Sequence, residues 1–276
     1  VNLETLENLR FDGKTLLPHQ KEDLAAMLMK DYALISWDTG LGKTLGGIAY
    51  TYLKWGRTLV LAPAVNTIDP WKQQLTQYVP DRSVFLCKTT KDIAKYKWED
   101  YLICSIEWVP NIYEHLLRWK FNNLILDESD NIKSKASTRA KAIKAIAKRI
   151  KRKILMSGTP TRNNILEIYN QVELLCRNSV NMVCWAKTWY EYDRSSREYD
   201  ECRNPNFMKP FPAWGWHKAF ERTFSPRKVT CFWANETNQD ILNSEEFKQF
   251  IEPIRFTRIY DIEKPRINEV LGIEDT

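Results

Sequence analysis

No apolar run in this 276-residue chain approaches the roughly 18 residues that a membrane-spanning helix needs. The first residues, VNLETLENLR, carry no signal-peptide pattern. The six cysteines include no C-x-x-C pair, which suggests free thiols in a reducing compartment rather than a disulfide framework. There is no internal repeat and no low-complexity tract. These absences argue against membrane, secreted and fibrous classes. What remains is ordinary globular composition, 43% hydrophobic and 28% charged, at a length that fits one large domain or two small ones. The net charge of +6 is unevenly placed, because residues 131–153 hold ten Lys/Arg and no acid. Such a local patch suits a phosphate-rich partner, and it equally suits a solvated helix face.

The first 175 residues alternate short apolar runs with amphipathic stretches. Segments 32–37, 58–62, 83–87, 101–105, 123–126 and 153–156 read as strands. Most are continuously apolar, as parallel strands covered on both faces should be. Helices are expected over 43–53, 70–78, 110–119 and 137–150, giving a βαβ rhythm and hence an α/β, doubly wound, mainly parallel sheet. Ligands of such sheets bind at the carboxyl ends of the strands. Ala140, Ile143, Ala147 and Ile150 mark the core face of the fourth helix. A further helix is expected over 164–176, with Ile165, Ile168, Val172 and Leu175 at helical spacing.

Beyond it the pattern changes. Residues 177–235 carry thirteen aromatics, five of them Trp, with no clear period, and read as a mainly helical or irregular insertion. Its aromatics read as a Trp-rich core packed on the lobe, or as base-stacking platforms beside Arg197, Arg203 and Lys209. Cys176, Cys184, Cys202, His217 and Cys231 match no usual zinc spacing. A closing helix is expected over 244–254, with Ser244 as N-cap and Phe247, Phe250 and Ile251 on one side. The expected organisation is a lobe at 1–176, an insertion at 177–243 and a closing segment at 244–276.

Two motifs carry chemistry. Asp38-Thr39-Gly40-Leu41-Gly42-Lys43-Thr44 follows an apolar strand and opens a helix, the context that makes a phosphate-loop reading credible. Glycines let consecutive backbone N–H groups curl around phosphate oxygens, and the helix adds its positive end. Lys43 would neutralise the β- and γ-phosphates of ATP, and the Thr44 hydroxyl would complete a Mg²⁺ shell. The general pattern asks for Gly where this chain has Trp37. The second motif is Asp127-Glu128, two acids at the end of an apolar strand. Asp127 would hold Mg²⁺ and Glu128 would act as general base on the attacking water.

With their neighbours, these motifs resemble the superfamily-two helicase-like ATPases, in particular the Swi/Snf-type DNA translocases. Leu17-Pro18-His19-Gln20 is similar to the family's opening motif. The phosphate loop is similar to the family's DEMGLGKT, which also lacks Gly at the position of Trp37. Leu59–Pro63 with downstream Trp71, Cys104–Glu107, Asp127–Asp130 and Ser157-Gly158-Thr159-Pro160 resemble further family segments in the same order. Phe250–Arg258 resembles the stretch that closes the first lobe. Asp130 stands where the family usually has His, a departure that bears on how hydrolysis couples to movement.

The resemblance implies a RecA-like fold, with ATP and Mg²⁺ in the strand-end cleft. It implies that Gln20 reads the adenine edge and that Ser157, Gly158 and Thr159 couple the metal-binding acids to nucleic acid. Double-stranded DNA is the implied partner. Pro63, Ser105, Lys133, Lys135 and Arg139 are its candidate contacts, on loops opposite the nucleotide face. It also implies a second RecA-like lobe, with an arginine finger, beyond Thr276, and therefore a nearly inactive isolated lobe. The expected location is intracellular: cytoplasm, nucleus or, for a viral or phage enzyme, the host interior. The same motifs also fit an RNA helicase or a restriction-type translocase subunit. A non-catalytic nucleic-acid-binding module on the same fold is a further alternative.

Overall fold

Strands buried on both faces require helices on both sides, and this chain supplies them in sequence order. The computed structural model describes residues 3–132, 137–158, 166–176, 182–211, 217–224 and 244–273. A short helix α1 (Leu3–Asn8) and strands β1 (Arg10–Phe11) and β2 (Lys14–Thr15) precede helix α2 (Pro18–Leu28). Then follow β3 (Tyr32–Trp37), α3 (Lys43–Leu53), β4 (Thr58–Ala62), α4 (Val65–Tyr78) and β5 (Val84–Leu86). Next come β6 (Tyr101–Ser105), α5 (Val109–Arg118), β7 (Asn123–Leu126), α6 (Thr138–Ala147) and β8 (Arg152–Met156). Helix α7 (Leu166–Cys176), a hairpin of β9 (Thr188–Asp193) and β10 (Glu198–Arg203), and α8 (His217–Phe224) follow. The last elements are α9 (Glu245–Ile251), β11 (Arg255–Arg258) and α10 (Tyr260–Leu271).

Seven strands form one sheet in the order β11-β3-β8-β7-β4-β6-β5, every adjacent pair parallel. Alternation divides its side chains between two cores. Leu34, Leu59, Leu61, Leu124 and Leu126 pack with residues of α5, α6, α7 and α9. Ala33, Ile35, Trp37, Val60, Ala62 and Ile125 pack with residues of α2, α3 and α4. Each large aliphatic side chain so removed from water contributes on the order of 1.5–3 kcal/mol. Helix α3 lies close to the sheet because Gly46 and Gly47 present no side chain there. A Cβ on Gly46 would fall 2.8 Å from the Trp37 ring, and one on Gly47 3.1 Å from Met156 Sδ. As expected, Ala140, Ile143, Ala147 and Ile150 are buried, as are Ile168, Val172 and Leu175. Among the described residues no helix is long and apolar enough to cross a membrane.

The closing segment differs from the expectation. Ser244 does cap α9, accepting from Phe247 N, but the helix stops at Ile251. The chain then enters β11, which adds a parallel edge strand beside β3, with Arg255 opposite Leu34 and Arg258 opposite Trp37. The described part of the insertion contains the antiparallel β9–β10 hairpin as well as α8. Among the described residues of the insertion, the buried aromatics are phenylalanines. Phe211, Phe220 and Phe224 interlock with Tyr169 and Phe250 in the same core as the sheet. Trp185 is exposed, and Trp189 lies under the Arg222 guanidinium at 5.1 Å. Trp214, Trp216, Trp233 and Cys231 lie outside the described residues. Among those described, no His/Cys/Asp/Glu cluster could hold a metal.

Candidate functional site

The carboxyl end of β3 feeds a tight loop into α3. Gly40 and Gly42 adopt φ of +90° and +77°, a left-handed backbone that favours glycine. At Gly42 space demands it too, since a Cβ would sit 2.4 Å from Gln20 Nε2. Lys43 Nζ donates to the carbonyls of Trp37 (2.8 Å) and Asp38 (3.2 Å), so the ammonium is folded over the loop it belongs to. Thr44 is the second residue of α3, half-buried. From α2, Gln20 Nε2 donates to Leu41 O at 3.1 Å, while its Oε1 accepts from Leu17 N at 2.9 Å. His19 Nε2 lies 3.0 Å from the same Leu41 oxygen. Gln20, expected to read the adenine edge, is only 2% exposed and braces the loop through its amide.

Two positions along the sheet, β7 ends in Asp127-Glu128. Because β3, β8 and β7 are adjacent and parallel, both motifs emerge on one edge of the sheet, separated by the end of β8. That end carries Ser157-Gly158. A Cβ on Gly158 would lie 3.6 Å from Lys43 Nζ and 3.9 Å from Thr39 Oγ1, so its backbone rests on the phosphate loop. On the other side Ser157 Oγ donates to Asp130 Oδ1 at 3.3 Å. The expected coupling strand end thus touches the loop and the acid cluster at once; Thr159, Pro160, Asn163 and Asn164 lie outside the described residues.

Asp127 is held at both oxygens. Oδ2 accepts from Trp71 Nε1 at 2.9 Å and Oδ1 from Glu128 N at 3.0 Å. Burial raises its carboxyl above the ordinary value, opposed by those two bonds and by the charge of Lys43. Glu128 itself has φ +44°, a strained backbone for a side chain of its size.

Lys133 and Lys135 lie outside the described residues. The other nucleic-acid candidates do not oppose the nucleotide face. In a parallel sheet every strand-to-helix loop leaves at the same edge, so Pro63 after β4 and Ser105 at the end of β6 sit further along the carboxyl edge. Glu107 ties this region together, accepting from Ala64 N (3.0 Å) and from Ser105 Oγ, with Arg139 Nη1 3.6 Å away. Burial alone would raise the Glu107 carboxyl; the Ser105 and backbone bonds and the Arg139 charge outweigh it and hold it below its usual value.

A second network behind the loop was not anticipated. Trp37 Nε1 donates to Asp23 Oδ2 (2.7 Å), and Arg258 Nε donates to both Asp23 oxygens (3.1 Å). Arg258 Nη1 and Arg266 Nη1 reach the two oxygens of buried Glu263 at 3.2 and 3.0 Å. The Asp23 hydrogen bonds, ahead of Glu263, raise the Arg258 guanidinium above its ordinary value. His19 packs edge-on against Trp37 and is pushed down by burial, with Nδ1 unbonded 4.0 Å from Glu263. Tyr260 N donates to Asp38 Oδ2 (2.9 Å), and its ring lies beside Gly40. The only sequence signal for this arrangement was the Arg258 that ends the lobe-closing stretch.

The donor set fits a metal–triphosphate: inward-turned glycines at a helix start, one lysine, one hydroxyl and a buried, oriented carboxylate. Comparisons with known proteins identify the family. The SNF2-related domain family matches residues 19–252. The DNA annealing helicase and endonuclease ZRANB3 of Bos taurus is 27% identical over 187 residues, covering 64% of this chain and 17% of the relative. The chromatin-remodeling ATPase INO80 of Drosophila melanogaster is 29% identical over 212 residues, covering 70% and 12% respectively. The chain therefore spans less than a fifth of these relatives. The solved Sulfolobus solfataricus SWI2/SNF2 ATPase core in complex with dsDNA superposes with a TM-score of 0.63 at 19% identity, over 90% of this chain and 45% of that one. By fold and by the extent of the family match, the chain belongs to the SNF2-related domain family.

Proposed function

We propose that this chain is the N-terminal motor lobe of an ATP-dependent, double-stranded-DNA translocase that works inside the cell and needs a second RecA-like lobe. The observation that carries the reading is Gly158, seated against Lys43 while its neighbour Ser157 bonds Asp130. Phosphate loop and acid cluster are thereby linked by one strand end. On ATP binding, Lys43 leaves the Trp37 and Asp38 carbonyls for the β- and γ-phosphate oxygens, joined by the amide groups of Gly40 to Lys43. Thr44 and Asp127 would hold Mg²⁺, which supplies charge neutralisation on the transferring phosphoryl group. Glu128 takes the proton of the attacking water. Pro63, Ser105 and Arg139, further along the same edge, meet the DNA backbone, where Lys/Arg contacts carry no sequence information.

Lys43→Ala in the full-length protein is expected to abolish Mg·ATP binding. Glu128→Gln is expected to bind Mg·ATP without turnover. ATPase activity should rise with duplex DNA more than with single strands or RNA. The isolated chain should hydrolyse ATP very slowly, since an arginine finger is worth about 10³–10⁵ in rate. Unchanged Mg·ATP binding by Lys43→Ala would overturn the reading, as would brisk DNA-stimulated turnover by this chain alone.

A further inference from the structure

The basic stretch at 131–153 does not stay on one edge of the sheet. Arg139, at the start of α6, lies at the carboxyl edge beside Glu107, whereas Lys144 to Lys153 run down α6 and turn into the start of β8. There they line a cavity of about 380 Å³ between α6, α7 and the first residues of β3 and β8. Strands of this length put that amino edge about 17 Å from the phosphate loop. We propose that this cavity is a second anion site, taking a small ligand that bears a di- or triphosphate group.

The charge pattern argues for it. Lys144 is satisfied by Glu173 at 2.6 Å and Lys151 by Asp31 at 3.3 Å. Lys148, Arg149 and Lys153 line the same cavity with no acid in ion-pair reach among the described residues. Among the described residues the Arg149 guanidinium donates to the Leu117 carbonyl, at 3.2 Å. Lys153 is half-buried, and its ammonium makes no hydrogen bond among the described residues. Burial pushes its pKa down, opposed by Cys176 and Asp31. A desolvated ammonium without a counterion is costly, and an anion would remove that cost. Half-buried Lys153 with exposed Lys148 and Arg149 beside it puts three cations without an ion pair among the described residues on one cavity, which suits a polyanion better than a single carboxylate. Leu174, Leu175 and Ile150 form apolar walls, which strengthen each charge contact inside. The concave shape suits a compact ligand of nucleotide size, whereas a duplex presents a convex backbone.

The test uses inorganic tripolyphosphate as the probe, titrated calorimetrically into the Lys43→Ala chain so that the phosphate loop contributes little. One saturable site is expected. Lys148→Glu, an exposed change that should leave far-UV circular dichroism unaltered, should weaken it about tenfold, and Lys153→Met should weaken it similarly. Lys72→Glu, an equal charge change at an exposed position of α4, should have little effect. In the chain with Lys43 intact, Lys148→Glu should leave Mg·ATP binding unchanged. Absence of saturable binding up to about 1 mM would overturn the proposal. Equal weakening by Lys72→Glu would overturn it as well. So would capture of duplex DNA, but not tripolyphosphate, in a Lys148-dependent way, since that would make the edge a nucleic-acid surface.

Discussion

Asp127 must be ionised to hold a divalent cation, yet its burial favours the proton. The bond from Trp71 Nε1 is the largest influence holding it towards the carboxylate. Trp71→Phe keeps the packed ring and deletes the donor, so the Asp127 pKa should climb further. A carboxyl raised in the fold is ionised only at higher pH, so Mg²⁺-dependent nucleotide affinity falls on acidification. Trp71→Phe is expected to weaken Mg·ATP binding by about 1 kcal/mol, more at pH 5.5 than at pH 8. Fluorescence titration with a Mg·ATP analogue at both pH values checks this; an identical, pH-independent affinity would refute it. Lys43, Asp127 and Ser157 were legible in the sequence because each sits in a contiguous motif. The Trp71–Asp127 and Ala64–Glu107 bonds were not, because their partners lie more than forty residues apart on separate segments, Trp71 in helix α4 and Asp127 just past β7, and no local pattern joins them.

At the level of elements, the central strands were legible because continuous apolar runs have no stable home outside a doubly covered sheet. Strand β11 was hidden by its composition: Arg255-Phe256-Thr257-Arg258 is short, and it lies at the sheet edge. Helix α10 was hidden by Pro265, which removes a backbone donor inside it. The β9–β10 hairpin has no buried residue on β9 and so lacks the alternation that marks a half-buried strand. Helix α3 illustrates packing overruling local propensity. Gly46→Ala would favour the helix by about 1 kcal/mol in isolation. Here the new methyl meets the ring of Trp37, which is fully buried and pinned to Asp23. Overpacking should win, and Gly46→Ala should lower stability by roughly 1–2 kcal/mol net. Urea denaturation measures it, and a stabilised variant would show that the ring yields.

Across the whole molecule, residues far apart in the chain meet behind the phosphate loop. Asp23 and Glu263 are nearly inaccessible to water and share Arg258. Arg258→Met should therefore leave two acids under-compensated and cost about 3 kcal/mol in chemical denaturation. Adding Asp23→Asn should recover part of that loss; if the double variant is no more stable than Arg258→Met, the arginine contributes through packing alone. The same architecture has a consequence for biosynthesis. Strand β3 pairs with β11, so Leu34 waits for Arg255 to be made. At ordinary translation speeds that delay is roughly 10–40 s. Throughout it the nascent polypeptide carries a bare backbone ladder at its nucleotide-cradling end, an invitation to intermolecular pairing that ribosome-associated chaperones would have to shield.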